Sequence, residues 1–403
     1  MRARYGDTFR FPTIFGPVVI TGDPEGVRAI FTADPDGYVP YQTESSALFL
    51  GDTSLINVAG KRHRRDRRLL MPPFHGARMR AYGDVMRDCA TRVMAGWSSG
   101  PFDVLEAMQE ISLHVILRAV FGLEHDSETG IAVRDAVTAY VGAIQPSFLF
   151  MRWLRRPFLG LSAWSRFVKA RTHLDRLLHA AIERRRADGG EHEDILSLLM
   201  SAHDEEGEGM SDVELRDELL TLLFAGHETT AIAMTWALYW LHREPDVLAR
   251  LRDDLARASP ESSSYLDAVC QETLRIHPVA PEVPRQLVAP LELLDWTLPA
   301  GSAVMASVIL VHHREDLFPE PERFRPERFL ERKFTPFEHI PFGGGARRCI
   351  GAAFALYEMK VVLSAIVGDR QLRLLSEAPV KPARRGFIMG PSRAIRMLDV
   401  EAT

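Results

Sequence analysis

Apolar residues recur at helical spacing through most of this chain, and that recurrence predicts a mainly α fold. Residues 81–97, 104–121, 131–144, 166–186, 245–256, 265–276 and 352–366 all carry the period. The longest periodic stretch, 212–243, is apolar nearly all round, so it should be a buried central helix of roughly 45 Å. Ser211 and Glu214 at its start form a capping-box pair. Looser alternation over 9–20, 286–311 and 371–398 predicts short strands, with Phe387-Ile388-Met389 at a hairpin tip. Asp23-Pro24 opens a short helix over 25–31, whereas 33–57 has no clear period and reads as a long loop. The expected organisation is α+β in one domain over 1–403. Its small β-rich part covers about 5–60 and 285–311, and its helical part about 60–277 and 350–366.

Composition narrows the class. A chain of 403 residues with 46% hydrophobic content can bury a sizeable core. The net charge of −5 creates no global field that would favour nucleic acid or an acidic membrane. Cys89, Cys270 and Cys349 are too few and too scattered for a disulfide framework, which fits a reducing compartment. There is no apolar leader and no apolar run long enough to span a bilayer, so a cytoplasmic protein is expected.

Three polar interruptions carry the candidate chemistry. The first is 341–351, Pro-Phe-Gly-Gly-Gly-Ala-Arg-Arg-Cys-Ile-Gly, directly ahead of the helix over 352–366. Three glycines, Gly343 to Gly345, give a loop whose backbone can approach another group closely, a cofactor being the obvious one. Cys349 lies just before a helix start, where unpaired amides favour a thiolate. Gly351 lets the chain turn into the helix, Phe342 offers a face to shield sulfur, and Arg347 a fork for a carboxylate. The plainer alternative makes Cys349 a small buried hydrophobe.

The second is 60–71, where Lys61, Arg62, His63, Arg64, Arg65, Arg67 and Arg68 crowd together. On a helix His63 and Arg67 share a face with Leu70 and Phe74, so two donors point inward and call for an anion. The other basic residues should face solvent, either as a hydrated face or as a docking surface for an acidic redox protein. The third is Ala225-Gly226-His227-Glu228-Thr229-Thr230, within the central helix. Two small residues leave a gap there; either Thr229 bonds its own preceding carbonyl while Glu228 reaches solvent, or both serve a bound molecule.

The spacing of Phe342, Gly345, Arg347, Cys349 and Gly351 resembles the haem-binding signature of the cytochrome P450 family. Ala225 to Thr230 is similar to that family's oxygen-binding groove. Glu272 and Arg275 are similar to its Glu-x-x-Arg pair, which Arg328 of Pro326-Glu327-Arg328-Phe329 would complete as a buried structural triad. The resemblance covers nearly the whole chain and implies a soluble, bacterial-type haem-thiolate monooxygenase, its long central helix lying over haem b ligated by the Cys loop. It further implies that Cys349 ligates the iron and that His63, Arg67, Arg285, Ala225, Gly226, Phe342, Gly343, Arg347 and Gly351 hold the cofactor. Glu228 and Thr229 would relay protons to bound O2. Two features depart from the pattern: Arg347 stands where many soluble members carry His, and the start lacks a Pro-rich lead, which leaves the completeness of the N-terminus open.

Leu222, Leu223, Val279, Val283, Phe387 and Ile388 are expected to line the substrate pocket, together with parts of 41–55 and 146–161. The last stretch is apolar with interleaved arginines and reads as a lid or an interfacial segment, Pro146 and Pro157 breaking any long helix. A medium-sized lipophile such as a fatty acid, terpenoid, steroid or drug-like molecule fits such a lining. No flavin or iron–sulfur pattern occurs, so electrons should come from a separate ferredoxin or flavodoxin with its reductase. Nucleic acid is not an expected partner, and a monomer is expected. Two alternatives stay open: a peroxide-using or rearranging haem-thiolate enzyme, and a non-enzymatic haem sensor.

Overall fold

A computed structural model describes residues 2–400 apart from 75–77, 98–99, 125, 146, 157–159, 161 and 191. The expected breaks at Pro146 and Pro157 lie outside the described residues. Helices take 54% of the chain, and the sheets are small.

The central helix runs Asp212–Arg243 with the expected capping box in place. Its apolar surface is the axis of the main core, with Leu219, Leu223, Ile232, Trp236, Leu238 and Leu241 all essentially inaccessible. The helix Val104–Phe121 packs along it most extensively, and Ala352–Asp369, which follows Cys349, packs against it as well. Among the described residues a second set of thirteen buried apolar side chains forms a separate core that includes residues of a five-stranded sheet. That sheet draws on distant parts of the chain, in the order Thr8–Thr13, Gly16–Thr21, Ala303–Ser307, Glu282–Leu287 and Tyr38–Val39. Its one parallel pairing sets Val18 opposite Ala303.

Two regions differ from the sequence reading. The stretch 33–57 is not a plain loop: it holds the helix Thr43–Leu50, bracketed by left-handed Gln42 (φ 60°) and by Gly51 (φ 89°). Eight residues are too few to show a period, yet Phe49 and Leu50 are buried. The expected strands over 286–311 end earlier, because Val308–His312 turns helical under a Ser307 cap.

Behind the Cys loop, Glu272, Arg275 and Arg328 meet in the interior. Arg275 binds Glu272 through two bonds, Nε to Oε2 at 2.6 Å and Nη2 to Oε1 at 2.9 Å. Arg328 Nε reaches Oε1 at 3.1 Å, and the Arg325 amide donates to the same oxygen at 2.8 Å. Arg275 Nη1 also donates to the His312 carbonyl at 3.0 Å. His312 Nδ1 faces the Arg275 carbonyl at 3.2 Å, and its Nε2 accepts from the Ile340 amide at 2.9 Å. The Ile340 bond makes Nε2 the acceptor, so Nδ1 carries the proton, and burial holds the ring neutral. The triad is thereby tied to the residue that precedes the Cys loop. Glu272→Ala leaves two buried guanidinium groups without their anion and should cost about 3–5 kcal/mol, seen as a lower denaturant midpoint. An unchanged midpoint would show that the triad does not hold this part of the fold.

Candidate active site

The Cys loop is shaped by an N-terminal helix, Pro24–Thr32. Gly345 has φ 65°, and a Cβ there would lie 2.0 Å from the Phe31 carbonyl oxygen; a Cβ on Gly344 would lie 2.1 Å from the Phe31 ring. These two glycines therefore admit Phe31, a protein neighbour rather than a cofactor. Gly343, also at φ 65°, packs at ordinary contact distance from Val283. Gly351 has φ −85°, which any residue adopts, so the turn into the helix does not itself require glycine.

The Cys349 amide donates to the Phe342 carbonyl at 3.0 Å, closing the loop. The Cys349 side chain is solvent-accessible yet lies deep among protein atoms, and burial pushes its thiol up. The Gly351 amide, as a hydrogen-bond donor to sulfur, and the charges of Arg67 and Arg348 pull the other way. Among the described residues no group of three or more His, Cys, Asp or Glu side chains could hold a metal ion.

Above the loop, the central helix divides its small residues between two faces. A Cβ on Gly226 would lie 2.8 Å from Ile116 Cδ1, so this glycine serves close approach of Val104–Phe121. Ala225 is exposed, within a helix whose neighbouring turns are mostly buried. Thr229 Oγ1 donates to the Ala225 carbonyl at 2.6 Å, as the plainer sequence reading expects. Glu228 does not simply reach solvent: it is partly buried, and burial raises its carboxyl while Arg385 pulls it down. His227 is buried and held neutral, pushed down to about 4 by burial.

The helix Gly60–Leu70 faces solvent with Lys61 and Arg68, as expected, but its outward arginines are not free. Each is paired with a carboxylate, most of them from elsewhere in the chain. Arg65 pairs with Asp204 at 2.6 Å and Asp66 at 3.0 Å, Arg64 with Asp36 at 2.9 Å, and Arg62 with Asp66 at 2.5 Å. Arg62 also meets Glu214, and Arg68 meets Glu205. Inward, the picture reverses. His63 is pushed down to about 4 by burial and then by Arg347, Arg67, Arg285 and Arg64. Burial also lowers Arg67 and Arg285, and it brings Arg347 down to about 10 with Arg285 adding to the effect.

Arg285 lies over the Tyr38 ring at 5.2 Å, and its buried Nε has no partner. The Arg347 fork holds the carbonyls of Ile56 and Val58 rather than a carboxylate. Among the described residues no carboxylate pairs with Arg67, Arg285 or Arg347. Such a cluster fits a ligand bearing more than one negative charge.

The pocket residues adjoin one another. The Met389 amide donates to the Val279 carbonyl at 2.8 Å, bringing the hairpin Pro382–Arg385/Ile388–Pro391 to the 278–283 turn. Leu223 and Val279 are buried, Leu222, Val283 and Ile388 partly so, and Phe387 at the hairpin tip is half exposed. Glu282, in the 278–283 turn, pairs with Arg384 at 2.5 Å.

The sequence description "Cytochrome P450" matches residues 1–396. The chain belongs to the cytochrome P450 family. It is 38% identical to cytochrome P450 135B1 of Mycobacterium tuberculosis, covering 99% of this chain and 87% of that protein. It is 36% identical to cytochrome P450 138 of the same organism, covering 98% and 89%. Among solved structures, the retinoic acid-bound cyanobacterial CYP120A1 matches with a TM-score of 0.88 at 25% identity, over 98% of this chain and 92% of that one. The haem domain of cytochrome P450DA matches with a TM-score of 0.85 at 22% identity, over 98% and 90%. No described helix is long and apolar enough to cross a membrane.

For a P450, the inward Arg67, Arg285 and Arg347 are of a kind to meet the two propionates of the family's haem, and the neutral His63 beside them could add a hydrogen-bond donor. Sequence reasoning missed Phe31, Tyr38, Arg385 and the carbonyls of Ile56 and Val58, all of which reach the site from distant segments without a motif. Gly345→Ala would combine a left-handed backbone with a clash at Phe31. We expect a loss of at least about 1–2 kcal/mol in stability and a lower haem-to-protein ratio, measured by thermal melting and by haem extraction. A variant with normal haem content and melting would remove Phe31 as the reason for that glycine.

Proposed function

We propose that this P450 is a haem-thiolate monooxygenase of the cytoplasm, acting as one domain. It would insert oxygen from O2 into a medium-sized lipophile, with electrons from a separate ferredoxin or flavodoxin. The observation that carries the reading is the placement of Cys349 beside an inward cluster of cations that lack anions. Haem b, when bound, supplies the O2-activating iron chemistry.

The residues present divide the remaining tasks. Cys349 would hold the iron, its sulfur oriented by the Gly351 amide. His63, Arg67, Arg285 and Arg347 would fix the propionates, and the exposed Ala225 would leave room on the opposite face. Glu228 can hold a proton because burial favours its neutral form, while the charge of Arg385 favours the ionised one. The Thr229 hydroxyl is oriented by its bond to the Ala225 carbonyl, which leaves its oxygen lone pairs for a proton in transit. The lining at Leu222, Val279, Val283 and Ile388 excludes water and selects apolar substrates. That one structural relative binds retinoic acid supports a lipophile of that size.

Two measurements test these roles. The dithionite-reduced, CO-bound wild type should show a strongly red-shifted Soret band, and Cys349→Ala should lose it; retention by the variant would end the assignment of Cys349. Thr229→Ala should still bind haem but lower the product formed per electron consumed by about tenfold or more, the balance appearing as peroxide. Unaltered coupling would take Thr229 out of the proton path.

A further inference from the structure

The hairpin Pro382–Arg385/Ile388–Pro391 carries two adjacent arginines whose surroundings differ. Successive strand residues point to opposite faces. Arg384 is neutralised by Glu282 at 2.5 Å. Arg385 has no carboxylate within ion-pair distance among the described residues, and its guanidinium makes one long bond, to the Pro391 carbonyl at 3.4 Å. Its side chain lies on the pocket side. A Cβ on Gly390 would stand 3.1 Å from Arg385 Cδ and 3.2 Å from Ile232 Cδ1, and Ile232 is one helical turn beyond Glu228. The charge of Arg385 is also felt at Glu228.

We propose that Arg385 is a specificity-determining residue that binds the carboxylate of a substrate with a long apolar body, making the preferred substrates free lipophilic carboxylic acids. The inference rests on the monooxygenase reading and narrows its substrate class. The side chains around Arg385 are apolar: Ile232 beside it, Ile388 paired with it across the hairpin, and Val279 bonded to the next turn of that hairpin. The guanidinium is exposed without a ligand, and an apolar substrate closing over it would desolvate it, which is costly unless that substrate also brings an anion. Glu228 is the competing partner, but no ion pair joins the two, and a Glu228 that keeps its proton leaves the guanidinium free for a ligand. An alcohol or ester of the same body gains the apolar burial without the charge-assisted bond.

The test uses holoenzyme first shown to give the red-shifted CO band, so that failure of the haem assignment is seen separately. Dodecanoate, hexadecanoate and retinoate are titrated alongside their methyl esters, following the haem spin-state shift and, independently, calorimetric heat. Wild type should bind at least one acid about tenfold or more tightly than its ester. Arg385→Leu should erase that preference by weakening the acid and leaving the ester unchanged, and Arg385→Lys should restore part of it. Arg385 is exposed, so these variants should keep wild-type haem content. The proposal is overturned if no acid in the panel binds, if acids and esters bind alike in wild type, or if Arg385→Leu retains the preference. A variant whose acid affinity is unchanged but whose peroxide leak rises would instead make Arg385 the partner of Glu228.

Discussion

A single buried carboxylate, that of Glu272, ties the rear of this molecule to the loop that carries Cys349. Its oxygens meet two guanidinium groups and a backbone amide, so helix Ser264–Ile276 and the turn around Arg325 and Arg328 cannot move independently. Through Arg275 and a neutral His312 the same network reaches the Ile340 amide, next to the loop that presents Cys349. A side chain that is to be presented in one direction needs a firm support, and a glycine-rich loop alone is too soft to supply it. The rigidity comes from charges sealed away from water, where their mutual attraction is least screened.

The opposite edge of the site uses unpaired charge. Arg67, Arg285 and Arg347 converge around a neutral His63 with no paired carboxylate among the described residues, and each is shifted against its charged form, chiefly by burial. Their mutual repulsion is one that a bound anionic cofactor would relieve. Binding and folding should be coupled for that reason: haem adds contacts and also relieves repulsion already present. Glu272 and the cation cluster thus act in complementary ways, one fixing the loop in advance and the other making the cofactor's arrival favourable.

Much of this was legible in the chain because the relevant signals are local. The central helix is read to the residue from its capping box and apolar period, and Cys349 stands out because its neighbours fall at fixed offsets. What escaped was long-range. Nothing near Gly344 and Gly345 shows that Phe31 will press on them, and nothing near Arg347 announces the carbonyls of Ile56 and Val58. Gly226 and Ala225 look alike as small residues, yet they are about 100° apart around the helix, so one faces a neighbouring helix and the other the cleft. Only packing tells them apart.

The basic helix Gly60–Leu70 illustrates the same limit in charge. Counted along the chain, it is a patch that suggests a hydrated basic face or an acidic partner. In the fold, Asp36, Asp204, Glu205 and Glu214 cover its outward arginines, while its inward members stay unpaired. Local density therefore misreads which charges are available for binding: the exposed ones are largely satisfied, and the buried ones are not. On the hairpin both arginines are exposed, yet Arg384 is paired with Glu282 whereas Arg385, beside Ile232, meets no carboxylate among the described residues. In both places the arginine with apolar neighbours lacks an anion, and a ligand that desolvates it gains most by bringing one.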